Sequence, residues 1–165
     1  MKQIKDIKNK IEWEKYYDPK FNWYNWQFYA YTKLSEEFIE EFKDKVDWFW
    51  ISATQKLTEK FIKKFQDRVN WDCICEYQKI SEDFIKEFKD KVNWSYISRY
   101  QILSENFIRE FKDKVIWEKI SMYQTLSEEF IKEFKNNIYW PYVICQELSE
   151  EFKKEFKDKL PKYFK

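Results

Sequence analysis

The residues of this chain with chemical potential are three cysteines, a recurring glutamine and a recurring tryptophan. Cys73 and Cys75 form C-x-C, one residue short of the redox C-x-x-C, and Cys145 stands alone. An odd cysteine count without a second close pair fits neither a disulfide framework nor a zinc site. The sequence contains no histidine and no glycine. The usual general base and most zinc ligand sets are therefore missing, as are the dinucleotide fingerprint and the phosphate-cradling loop. Carboxylates are plentiful, but lysine or arginine follows many of them at i+4, as in Glu82–Lys86, Glu105–Arg109, Glu110–Lys114 and Glu128–Lys132. That order describes a solvated helical ladder rather than an acid/base pair. No catalytic residue, metal ligand or cofactor is expected.

Gln55, Gln78, Gln101 and Gln124, with Gln146 slightly out of register, could form a base-reading ladder. An amide at a tight link between helices, where no glycine cap exists, more simply satisfies backbone groups. Trp48, Trp71, Trp94, Trp117 and Trp140 fall at 23-residue intervals. They could offer stacking platforms for bases, but their recurrence beside Ile and Val favours core. Cys75 occupies the slot of Ser52, Ser98 and Ser121, the place of a small, semi-buried residue.

All these series share one period. A 23-residue unit starts at Leu34, Leu57, Ile80, Leu103 and Leu126, and a truncated copy starts at Leu148. Self-similarity at such a period predicts an all-α solenoid of short two-helix repeats, each burying its apolar side against its neighbours. In the unit from Leu103, Ser104 is the N-cap of a first helix, A, with Glu105 near the positive end of its dipole. Leu103 and Ile108 have hydrophobic-staple spacing, and Phe107, Ile108, Phe111 and Val115 form the apolar stripe. Asp47, Asn70 and Asn93 precede the tryptophans as N-caps of a second helix, B. Its buried side takes Trp94, Ile97 and either Tyr100 or Gln101. Pro141 directly after Trp140 fits a first helical turn. Helices of about 11 and 8 residues fill the period and are too short to persist without packing.

The expected organisation is a diverged aromatic N-terminal cap (1–33), five repeats (34–147) and a C-terminal capping half-repeat (148–165), as one continuous domain. In the cap, Ile7 to Tyr17 matches the middle of a unit and Asp18-Pro19 reads as a helix start. In the last copy, Lys153 replaces the staple residue and Pro161 stops the helix. The 165 residues carry 22% aromatics and 37% charged residues, with Lys+Arg 31 against Asp+Glu 30. A net charge of +1 provides no global field toward nucleic acid or an anionic membrane. The longest apolar run, Ile138 to Cys145, is far too short to span a bilayer. The N-terminus lacks a signal-peptide apolar core, and the expected compartment is the cytoplasm.

The sentence L-S-E-x-F-I-x-E-F-K-D-K-V-x-W-x-x-I-S-x-Y-Q resembles tandem-repeat proteins encoded by giant viruses, phages and AT-rich bacteria, over about residues 34–160. The resemblance implies a helical repeat array of viral origin and carries no catalytic residue across.

Comparing copies with one another locates the variation. Helix A barely drifts, whereas helix B varies at three positions. The first holds Phe49, Asp72, Ser95, Glu118 and Pro141; the second Trp50, Cys73, Tyr96, Lys119 and Tyr142; the third Ala53, Glu76, Arg99, Met122 and Cys145. Their i, i+1, i+4 spacing places them on one side of the helix. Aromatics, Met and Arg are typical of interface cores. The expected role is a non-enzymatic binding module that recognises a protein partner through Phe49, Trp50, Asp72, Glu76, Tyr96, Arg99, Lys119, Met122 and Tyr142. By analogy with viral proteins the partner is a host or defence protein, such as a CRISPR nuclease. The alternative is single-stranded nucleic acid held by an aromatic and basic repeat surface.

Overall fold

The computed structural model describes residues 26–143 and 146–161, and the expectations for Ile7 to Tyr17, for Asp18-Pro19 and for Cys145 lie outside them. The protein is all-α. Twelve short helices occur among the described residues: α1 (Trp26–Tyr31), α2 (Glu36–Glu41), α3 (Trp48–Thr54), α4 (Glu59–Lys64), α5 (Trp71–Tyr77), α6 (Glu82–Glu87), α7 (Trp94–Tyr100), α8 (Glu105–Glu110), α9 (Trp117–Tyr123), α10 (Glu128–Glu133), α11 (Trp140–Val143) and α12 (Glu150–Glu155). Even-numbered helices are A-type and odd-numbered ones B-type. Two compact units make up the chain, Met1–Ile80 and Ser81–Lys165. Within the first, α3 packs on α1 and α5; within the second, α9 packs on α7 and α11. This helix-to-next-but-one stacking is that of a helical solenoid.

The A helices start as expected. Ser35, Thr58, Ser81, Ser104, Ser127 and Ser149 each accept from the amide of the phenylalanine three residues on. Leu103 and Ile108 are both buried, as the staple requires. The A helices are shorter than expected, however: six residues, not about 11. Phe111 leaves helical geometry at φ −110°, ψ 28°. The chain then tightens, with Lys114 N bonding the Phe111 carbonyl at 2.9 Å and Val115 N the same carbonyl at 3.1 Å. Meanwhile the indole N–H of Trp117 takes the Lys112 carbonyl at 3.0 Å, which removes that carbonyl from any continuing ladder. Trp48, Trp71, Trp94 and Trp140 do the same at 2.9–3.1 Å.

B helices are seven residues long from α3 to α9. Asp47, Asn70 and Asn93 cap three of them, whereas Ile116 caps α9 without a side-chain bond. Of the two residues open for the end of the buried stripe, Gln101 is buried and Tyr100 is exposed.

Hydrogen bonds between adjacent repeats run through three recurring side chains. Within each unit the glutamine after a B helix reaches back one period. Gln78 Nε2 donates to the Ser52 and Gln55 carbonyls at 2.9 and 2.7 Å, while its Oε1 accepts from Leu57 N at 3.1 Å. Gln55 and Gln124 repeat the pattern. Gln146, one residue out of step, still bonds the Gln124 carbonyl at 2.8 Å and Leu126 N at 3.0 Å. The amides thus satisfy backbone groups, the simpler of the two expectations. The second side chain is the serine of helix B. Ser52, Ser98 and Ser121 donate to the carbonyl four residues back at 2.7 Å and accept at 2.9 Å from the amide that opens the next B helix. At the equivalent position one period earlier, the Tyr29 hydroxyl accepts from Asp47 N at 2.8 Å.

The third is the first glutamate of helix A. Glu36 accepts from Thr58 N at 2.6 Å and Glu105 from Ser127 N at 2.6 Å, and Glu82 and Glu128 serve Ser104 and Ser149 likewise. This corrects the ladder expected along each helix. Arg109 does reach Glu105, at 3.6 Å. Lys86 instead pairs with Glu110 at 2.7 Å, Lys132 with Glu155 at 2.7 Å and Lys114 with Asp90 at 3.3 Å. The ion pairs run mostly from repeat to repeat. Stacked A helices bring a residue beside the one 23 or 24 positions away, while Glu82 and Glu128, at i−4 of Lys86 and Lys132, accept from N-cap groups and Glu110, at i−4 of Lys114, is held by Lys86.

Candidate functional site

The tryptophans are half-buried and doubly anchored. Beyond the indole bond, Trp94 stacks near Phe107 and Phe111 at ring distances of 6.2 and 5.0 Å, and Lys114 Nζ lies over its ring at 5.9 Å. Trp48, Trp117 and Trp140 sit on their own phenylalanine pairs. Their faces serve packing between the pairs.

The variable positions of helix B differ in how they meet solvent. At the first, Phe49 is 47% exposed, with its ring edge-on to Trp50 at 5.0 Å, and Asp72, Glu118 and Pro141 are also exposed. The second position is turned sideways, toward the neighbouring B helix. Trp50, Tyr96, Lys119 and Tyr142 are half-buried there and Cys73 is buried. Lys119 Nζ donates to Ser95 Oγ of the preceding repeat. Burial pushes the Cys73 thiol up from its ordinary pKa, reinforced by the Asp72 and Glu76 carboxylates. At the third position Ala53 and Glu76 are half-buried, while Arg99 and Met122 are exposed.

A fourth contributor hardly varies, Thr54 in the first copy giving way to tyrosine in the next three. Tyr77, Tyr100 and Tyr123 end their B helices and are 57%, 38% and 42% exposed. In the second unit these tyrosines build a cluster. The Tyr96 and Tyr100 rings stack at 5.9 Å. The Arg99 guanidinium lies 4.8 Å from the Tyr100 ring and 5.1 Å from the Tyr123 ring, so two tyrosines of adjacent repeats flank one cation. Met122 and Ile102 stand exposed on the same two repeats. Their greater exposure separates these tyrosines from the half-buried tryptophans.

Among the described residues no cluster of His, Cys, Asp or Glu could hold a metal, and no helix is long and apolar enough to cross a membrane. No family model, curated protein or solved structure matches the chain.

Proposed function

We propose that this protein is a non-enzymatic binding module that grips a protein partner along the exposed side of its B helices. The observation that carries the reading is the Tyr96–Arg99–Tyr100–Tyr123 cluster, with Met122 exposed beside Tyr123 in sequence. Its rings and guanidinium are already ordered against one another, so little side-chain entropy remains to be lost on binding. Tyr and Arg dominate the energetic centres of interfaces. A sequence without histidine or glycine supports binding over catalysis. The resemblance to repeat proteins of giant viruses and phages supports a host or defence protein, such as a CRISPR-type nuclease, as the partner.

The test is affinity capture from cell extract with the full chain and a Tyr96→Glu/Tyr123→Glu variant, with and without nuclease treatment. The expected result is a protein that survives nuclease treatment and loses affinity at least about thirtyfold with the variant, the loss typical of a 2 kcal/mol anchor. Retention by the variant would reject this surface. A second reading, single-stranded nucleic acid, draws support from Tyr100 and Tyr123 as exposed stacking faces beside Arg99. That reading requires nuclease-sensitive capture and an affinity that falls steeply with salt.

A further inference from the structure

In the first unit the place that Arg99 fills between two tyrosines is occupied by a much smaller residue. Arg99 contacts Tyr100, its successor, and Tyr123, 24 residues on. The equivalents two repeats earlier are Ala53, Thr54 and Tyr77. Tyr77 is 57% exposed, and a groove of about 380 Å³ opens beside it at the ends of α3 and α5. Its walls include Ala53, Thr54, Leu57 and Tyr77, and Lys56 and Lys79 also line it.

Both lysines are exposed. Neither makes an ion pair among the described residues, whereas Lys64 and Arg68 of the same unit pair with Glu40 and Asp44. The position itself varies in chemistry: after Lys56 and Lys79 it becomes Ile102, Thr125 and Glu147. Two unpaired ammonium groups beside a tyrosine wall complement a carboxylate next to an apolar side chain. A continuous polyanion suits the site less well, because exposed Asp72 and half-buried Glu76 lie on α5, the helix that carries Tyr77.

We propose that this groove receives an acidic protein segment, seating a carboxylate between Lys56 and Lys79 and an apolar or aromatic side chain against Tyr77 and Ala53. The inference rests on the protein-binding reading above and names the chemistry of its partner. A segment that continued across α5 would meet Asp72 and Glu76 and would need a neutral or basic residue there.

Titrating the full chain, labelled with 15N, with the peptide acetyl-Glu-Leu-Tyr-Glu-amide tests it. The expected result is shifts confined to the amides around Lys56, Leu57, Tyr77 and Lys79, with affinity about tenfold above that of the Gln-for-Glu peptide. Lys56→Glu/Lys79→Glu should abolish that preference. Ala53→Arg should close the groove to both peptides by laying a guanidinium on Tyr77, and it leaves the lysines in place. Equal affinity for the two peptides, shifts spread over the A helices, or tighter binding of a short oligothymidylate would each overturn the proposal. Should the captured partner lose affinity with Tyr96→Glu/Tyr123→Glu but not with Lys56→Glu/Lys79→Glu, the groove is rejected and the general protein-binding reading stands. Loss of capture after nuclease treatment rejects both.

Discussion

Replacing Gln124 with leucine removes one side chain that serves two backbone carbonyls of the preceding repeat and the amide that opens its own. Its Nε2 donates to the Ser98 and Gln101 carbonyls at 3.1 and 2.9 Å, and its Oε1 accepts from Leu103 N at 3.0 Å. Gln124 is 5% exposed, so water reaches these groups poorly once the amide is gone. A buried polar group left without a partner costs about 1–3 kcal/mol. The three groups relax together rather than each at full cost, and Gln124→Leu should destabilise by about 2–4 kcal/mol. Gln124→Glu sharpens the test. It keeps the volume and the acceptor for Leu103 N, but at neutral pH it sets a carboxylate oxygen against two carbonyls. It should destabilise more than leucine does near pH 7 and recover on acidification, as protonation restores one donor. Denaturant unfolding followed by circular dichroism measures the total. Hydrogen exchange at the Leu103 amide reports the local opening, which matters because repeat arrays need not unfold in one step. A loss below about 1 kcal/mol, with Leu103 protection unchanged, would refute the account of the glutamine as a clasp between repeats.

Trp94→Ala should cost about 2–4 kcal/mol by denaturant unfolding, and Trp94→Phe about 1 kcal/mol, since the second keeps the packing on Phe107 and Phe111 and loses the bond to the Lys89 carbonyl. Tyr29→Phe strands the Asp47 amide and should cost about 1–2 kcal/mol, with faster exchange at that amide as the specific sign. The Ser149 backbone N–H holds the Glu128 carboxyl below its usual pKa, so its contribution is present above the ordinary carboxylate range and is lost as pH falls through the depressed value. Glu128→Gln should therefore flatten the acid limb of the stability–pH curve, and an unchanged limb would refute the role. Exchanging charges in Lys86→Glu/Glu110→Lys should leave stability within about 1 kcal/mol, because an exposed pair contributes little in either orientation.

The period, the helix pair and most of its caps were legible because each rests on a local rule. Ser104 and Asn93 cap as their side chains dictate, and the hydrophobic stripes fall where helical spacing puts them. What escaped were choices made by a neighbouring repeat. Lys86 has a carboxylate at Glu82 within its own helix, yet stacking offers Glu110 while Glu82 is engaged by Ser104. The end of helix A is drawn by an indole five residues beyond the carbonyl it binds, a tertiary event that a helical stripe cannot announce. Tyr100 and Gln101 are adjacent and both recur, so recurrence alone could not tell the solvent-facing ring from the buried amide. At the candidate site, variation among copies pointed to Arg99 and Met122, while near-uniformity hid Tyr100 and Tyr123, which flank the guanidinium.

Within each unit the glutamine reaches one period backward and the glutamate one period forward, so a repeat supplies what the next requires and needs what the last supplies. A genetic duplication of one period, cut at any codon, therefore brings its own donors and acceptors in matching number. The copy needs no compensating change elsewhere to be accommodated. Even a one-residue slip is absorbed, as Gln146 demonstrates. Such a chain can lengthen by copying error alone, and selection is then left to act on the few B-helix positions outside this exchange of backbone partners.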